Sequence, residues 1–296
     1  MGKQGIVLNE IMSAEKVDEL DFGYGSGNRL EMADGAVLYY EQYGAESGRD
    51  LVFLNNYFIV APLWKNFSAE LAKQYRVVAY DLRNQGESTA YEEVSYDSHL
   101  EDLRTLITEL GVERPILVAT SDSTLLAREF ALRYPEMVGG LALFGPVFNA
   151  VGGRRRKRLM QSWRTGLTEV GFTYLYDIVY PLIYSHYTTE YGGSAAYLAL
   201  KERYMTHCRH EQLIANLSAA LTVDDDPARL RELRCPVLLA AGEHDFQATP
   251  PMLRELAELI PDARVETIPT AGHAVFFETT AEFEATIARF VESIRD

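Results

Sequence analysis

The hydrophobic pattern changes character several times along the chain. Residues 29–32 and 36–43 alternate apolar with polar positions around Asp34-Gly35, a pair that favours the tight turn of a β-hairpin. Then come short runs apolar at nearly every position, at 50–54, 75–80, 115–119, 138–144, 236–241 and 264–268. Such runs predict strands buried on both faces. Between them lie stretches of helical spacing at 63–74, 97–110, 124–134, 252–259 and 281–294; Leu100, Leu103, Leu106 and Ile107 share one face of the second. This βαβ rhythm predicts a mostly parallel sheet with helices on both sides.

The rhythm lapses at 147–222, a tyrosine-rich stretch of helical character with no convincing strand. A block of that kind between two sheet strands predicts a lid over their C-terminal ends, where open parallel sheets bind ligands. The chain therefore divides into an arm at 1–27, a core at 28–146, a cap at 147–222 and the rest of the core at 223–296. The arm ends in a glycine-rich stretch and offers Val7, Leu8, Ile11 and Met12 for packing.

Composition narrows the class. The chain has 296 residues, 47% hydrophobic and 24% charged, enough for a large core and ordinary for a globular protein. No apolar run is long enough to span a bilayer, and the polar-interrupted N-terminus does not read as a secretory signal. Two cysteines, Cys208 and Cys235, make no disulfide framework, so a reducing cytoplasm is the simplest setting. A net charge of −15 disfavours nucleic acid as a partner. One segment runs against that charge: Arg154, Arg155, Arg156, Lys157 and Arg158. It reads either as a solvated helix start or as a docking patch for an acidic partner.

Three residues carry the candidate chemistry. Ser121 stands in Ala119-Thr-Ser-Asp-Ser123, after one buried strand and before a helix, with a small residue at each end of the turn. That is the form of a nucleophile elbow, which strains the serine backbone and lifts its hydroxyl clear of the sheet. Asp245 follows the strand at 236–241, and His273 follows the strand at 264–268. A serine after a strand is, taken alone, more often a helix cap. Serine, acid and base in that order, each after its own strand, point to nucleophilic catalysis. His273 would accept the Ser121 proton, and Asp245 would orient the imidazole and stabilise its charged form.

These motifs make the chain from about residue 28 resemble the α/β-hydrolase superfamily, in the subgroup with a helical cap inserted after strand six. Asp81-Leu-Arg-Asn-Gln-Gly-Glu-Ser88 is similar to that family's Asp-Leu-Arg-Gly-His-Gly-x-Ser loop, and Gly242-Glu-His-Asp245 and Gly272-His273 match its acid and base motifs. The resemblance implies an α/β fold, a triad of Ser121, Asp245 and His273, and no cofactor or metal. It also implies an oxyanion hole made of the backbone N–H groups of Tyr57 and Asp122. Here the chain departs from the family: Asn55-Asn56-Tyr57 stands where His-Gly is usual, and Ala119 and Ser123 replace the elbow glycines.

The implied function is cleavage of an acyl ester or thioester through an acyl-enzyme on Ser121. An acyltransferase with the same triad, a non-covalent lyase-type member and a non-catalytic binder of small molecules are the alternatives. Asn55 and Asn56 are candidate pocket residues. So are Tyr180 and Tyr184, from a tyrosine stripe that is either lid packing or the lining of an acyl tunnel. With the Arg154–Arg158 run, the altered loop is similar to thioesterases and acyltransferases that handle carrier-bound hydroxyacyl or polyketide chains, the hydroxyalkanoyloxyalkanoate synthases among them. That similarity implies an acyl-carrier protein or coenzyme A as partner. His207 and His210 read as surface or core histidines in preference to metal ligands.

Overall fold

The computed structural model describes residues 13–25 and 27–294; Val7, Leu8, Ile11 and Met12 lie outside them. The chain runs through helix α1 (Ala14–Asp18), strands β1 (Asn28–Glu31), β2 (Val37–Gly44), β3 (Asp50–Leu54) and β4 (Arg76–Tyr80), helix α2 (Tyr96–Glu109), strand β5 (Ile116–Thr120), helix α3 (Ser123–Arg133) and strand β6 (Gly140–Phe144). Four helices follow: α4 (Arg154–Glu169), α5 (Phe172–Ile183), α6 (His186–His207) and α7 (His210–Ala220). The core then resumes with β7 (Val237–Gly242), α8 (Pro250–Ala257), β8 (Ala263–Ile268), α9 (Val275–Glu278) and α10 (Thr280–Ser293).

The eight strands form one sheet in the order β1-β2-β4-β3-β5-β6-β7-β8. β1 and β2 make the antiparallel hairpin around Asp34-Gly35, and every pairing from β4 to β8 is parallel. Because side chains alternate across a strand, one residue in two feeds each core. Phe53, Val118, Phe144 and Ala240 face the side of Phe283, Ile287 and Phe290 on α10. Val52, Leu117, Leu143 and Leu239 face the side of Leu103, Phe130 and Leu253, on α2, α3 and α8. The continuous apolar runs thus have their physical reason in a sheet covered twice.

Two expectations change. Residues 63–74 do not form an α-helix; short 3-10 turns occupy Ala61–Phe67 and Leu71–Lys73. The demand to bury Leu63, Trp64 and Phe67 together against the sheet overrides helical spacing there. The arm is not simply appended, because Phe22 stacks on His207 at the end of α6 with ring centroids 4.7 Å apart. Beyond it, the Tyr24 hydroxyl donates to Asp81 at 2.9 Å, so the segment straps the helical block to the core.

Candidate active site

The site is assembled by the ends of β5, β7 and β8. Ser121 takes φ = 56°, the left-handed region, which costs a non-glycine residue about 1–2 kcal/mol. Local bonds hold it there. The Ser121 N–H donates to the Phe144 carbonyl at 2.9 Å, and the Thr124 N–H donates back to the Ser121 carbonyl at 3.0 Å. Ser123 fills its elbow position by hydrogen bonding: its hydroxyl accepts from the Thr120 N–H at 3.0 Å and lies 3.0 Å from the Leu54 carbonyl.

His273 Nε2 lies 2.8 Å from Ser121 Oγ, and His273 Nδ1 lies 2.7 Å from Asp245 Oδ2. The other Asp245 oxygen accepts the backbone N–H groups of Gln247 at 2.7 Å and Ala248 at 2.9 Å. With Asp245 confined to hydrogen-bond acceptance, Nδ1 carries the imidazole proton and Nε2 is free to receive one from Ser121. Burial alone would drag the His273 pKa down, but the Asp245 charge and hydrogen bond, helped by Asp122 and Glu278, raise it. Burial would push Asp245 up, yet its contacts with His273 and the two N–H groups hold it below the usual carboxylate value.

The departure at Asn55-Asn56 has a physical account in side-chain hydrogen bonds. Asn55 Oδ1 accepts from Trp64 Nε1 at 2.8 Å, and its amide donates to Asp81 at 3.0 Å. Asn56 donates to Thr120 Oγ1 at 2.8 Å and accepts the Phe58 N–H at 3.0 Å. The Asp81 motif buttresses the same loop: Asp81 accepts the Ala61 N–H at 2.7 Å, and the Gln85 side chain donates to the Asn56 carbonyl at 2.8 Å. Burial lifts the Asp81 pKa to about 6 against these donors.

A narrow cleft above Ser121 is lined by Asn56, Tyr57, Asp122, Trp163, Tyr184 and Tyr204, among others, and holds about 30 Å³ of free space. Asn56 and Tyr184 stand where a pocket role needs them. Asn55 does not: it is fully buried beneath the loop, its side chain committed to Trp64 and Asp81. Tyr180 also lies outside the cleft, packed among Tyr176, Tyr184 and Tyr197 within the lid. Of the tyrosine stripe, Tyr174 and Tyr191 are exposed.

The basic run needs a correction as well. Arg156 is 1% exposed, bonding to Asp225 at 2.5 Å and to the Ala220 carbonyl at 2.9 Å. Its guanidinium thus joins α4 to α7 and the following loop and cannot belong to a docking face. Arg155 donates to the Phe246 and Gln247 carbonyls, and Lys157 lies 3.7 Å from Asp225. The Asp225 carboxylate is consequently a buried partner of the Arg156 guanidinium.

Sequence reasoning missed Glu278. Its carboxylate accepts from Gly272 N at 2.8 Å, Ser185 N at 2.9 Å, and the Ser185 and Thr188 hydroxyls at 2.6 Å. It thereby ties the loop bearing His273 to the junction of α5 and α6. The tie is doubled by the backbone, where His273 N and Ala274 N both donate to the Ile183 carbonyl. Burial raises the Glu278 pKa against those donors. Only the spacing of five residues from His273 was visible in the sequence, and that is no signal by itself.

Known proteins place this arrangement. A profile of the alpha/beta hydrolase family matches residues 52–286. A Bacillus subtilis protein provisionally named 2-succinyl-6-hydroxy-2,4-cyclohexadiene-1-carboxylate synthase is 26% identical over 90% of this chain and 98% of its own length. The pimeloyl-[acyl-carrier protein] methyl ester esterase of Nitrosospira multiformis is 26% identical over 86% of this chain and 97% of its own. In three dimensions the enol-lactonase of Burkholderia xenovorans LB400 superposes with a TM-score of 0.79 over 90% of this chain and all of that one, at 23% identity. The matched profile runs from β3 into α10, through the elbow, the helical block and both loops that bear the acid and the base, and the chain belongs to the alpha/beta hydrolase family.

Proposed function

We propose that this enzyme is a serine hydrolase that cleaves an acyl ester or thioester through an acyl-enzyme on Ser121. The observation that carries the reading is the continuous hydrogen-bonded line from Ser121 Oγ through both nitrogens of His273 to Asp245, at 2.8 and 2.7 Å. Ser121 Oγ attacks the acyl carbon while its proton passes to His273 Nε2; the carbonyl π pair moves onto oxygen. Collapse of that oxyanion breaks the bond to the leaving group, which takes the proton from Nε2. Water then attacks the acyl-enzyme, giving its proton to Nε2, and the acid departs as Ser121 Oγ regains one. Asp245 remains a carboxylate throughout and stabilises the imidazolium. The relative named as an esterase of a carrier-bound acyl group supports this class of substrate.

Acyl transfer to an alcohol is a second reading, favoured by the mostly apolar lining that Trp163, Ile183, Tyr184 and Phe276 give the cleft over Ser121. The relative named as a synthase leaves non-covalent, lyase-type chemistry without an acyl-enzyme as a third, which would survive Ser121→Ala.

Intact mass after treatment with a fluorophosphonate tests the nucleophile. One adduct on the wild type and none on Ser121→Ala is the expected result. Absence of any adduct on the folded wild type would sink the acyl-enzyme. Product analysis of an acyl thioester with and without an added alcohol then separates hydrolysis from transfer.

A further inference from the structure

Asp122 begins α3, the position where an aspartate ordinarily caps the helix, yet its side chain makes no capping bond. It turns instead toward the facing loop, where Asp122 Oδ1 accepts the Tyr57 N–H at 3.1 Å. The Tyr57 N–H is one of the two that the acyl-enzyme reading assigns to the oxyanion, the other being the backbone N–H of Asp122 itself. A carboxyl oxygen of the chain itself therefore holds a donor meant for the substrate's. The carboxyl is 9% exposed and lines the cleft beside Ser121 and His273.

We propose that the Asp122 carboxyl is the resting occupant of the oxyanion site, a gate that the substrate's acyl oxygen must displace before Ser121 attacks. The proposal rests on the acyl-enzyme reading and adds to it a residue that governs when the site can act.

Charge decides how easily the gate yields. A neutral carboxyl holds Tyr57 by an ordinary hydrogen bond and can swing away. An ionised one holds it by a charge-assisted bond and repels the developing oxyanion next to it. Burial pushes Asp122 up to about 8, opposed by the two N–H groups and by His273. The other groups facing it are the Tyr57 and Tyr96 phenols, both held protonated by burial. Arg156 acts on both phenols from α4, and Arg128 and Glu129 act on Tyr96 from α3. The gate is thus neutral below about pH 8 and locked above it.

The test is the pH dependence of kcat/KM on p-nitrophenyl butyrate from pH 5.5 to 10, for the wild type, Asp122→Asn and Asp122→Ala. Wild-type kcat/KM should fall about tenfold per unit above the gate's pKa, since one ionisation is involved. Both variants, which cannot ionise there, should stay flat over that range whatever their absolute rates. A limb that persists in both variants, or a wild type without one, overturns the gate while leaving the acyl-enzyme standing. Fluorophosphonate labelling separates the two failures: no adduct at Ser121 at any pH removes the acyl-enzyme and the gate together. Carbon-13 NMR of labelled aspartate carboxyls in the wild type gives an answer should both variants misfold. One carboxyl should titrate near the gate's pKa and shift on phosphonylation of Ser121, and its absence overturns the proposal.

Discussion

Gly145 stands directly behind His273. It follows β6 at φ = 60°, and a Cβ placed on it would lie 2.8 Å from both Nδ1 and Cε1 of the imidazole and 3.1 Å from Asp245 Oδ2. The residue after this strand must therefore lack a side chain, because the His273 ring and the Asp245 carboxylate pack against the bare backbone. Gly145→Ala should displace the imidazole from Ser121 and lower kcat by about 100-fold, the scale of a misplacement near 1 Å. Retained near-ultraviolet circular dichroism alongside the kinetic loss would locate the effect in the site; an unchanged kcat would mean the His273 ring has room that the packing denies.

On the acyl-enzyme reading, the pH dependence of turnover should have an acid limb set by His273. The imidazole accepts a proton only when neutral, and its pKa is raised above the ordinary 6.5 by Asp245 once the opposing effect of burial is overcome. Activity should accordingly rise with pH through a midpoint above 6.5. In Asp245→Asn the raising charge is gone and burial remains, so the midpoint should move below 6.5, with kcat down by about 10³–10⁴-fold. Stopped-flow kcat/KM profiles of the two proteins check both the direction and the loss.

Glu278 bonds both the His273 loop and the lid junction, so its removal should be felt in stability and in turnover. Glu278→Ala strands four buried donors and should cost about 2–4 kcal/mol in urea unfolding. Glu278→Gln keeps one acceptor oxygen but turns the other into a donor facing donors, and should fall between. If the alanine variant unfolds at the wild-type urea midpoint, the lid is not anchored through this carboxylate.

The arginine run divides by burial. Arg156→Ala leaves the buried Asp225 carboxylate with only the Lys157 ammonium at 3.7 Å and should destabilise by about 3 kcal/mol. Arg154→Ala and Arg158→Ala remove exposed charges and should each stay within about 0.5 kcal/mol of the wild type. Thermal unfolding of the three variants reads this directly. Carrier or coenzyme A docking, if it uses this helix, excludes Arg156, and charge reversal at the exposed Arg154 and Arg158 should raise KM for a carrier-bound thioester but not for a small ester.

Sequence by itself determined the sheet and the placement of the candidate residues that follow its strands. Apolar runs such as 50–54 and 115–119 can be satisfied only between two layers, and each candidate residue of the triad sits a fixed step past such a run. Local signals of that kind survive in one dimension because strand and turn are short-range. Three things were decided only by the tertiary structure. Residues 63–74 gave up helical geometry to bury Trp64, whose ring packs at a tilt against Phe53 and Phe276 from distant parts of the chain. Arg156 left an exposed basic run because its partner, Asp225, lies 69 positions away. Asp122 left its helix to meet the N–H of Tyr57, 65 positions earlier. In each case the competing partner is distant in sequence, so no periodicity or motif records it, and only the packed chain brings the two groups within reach.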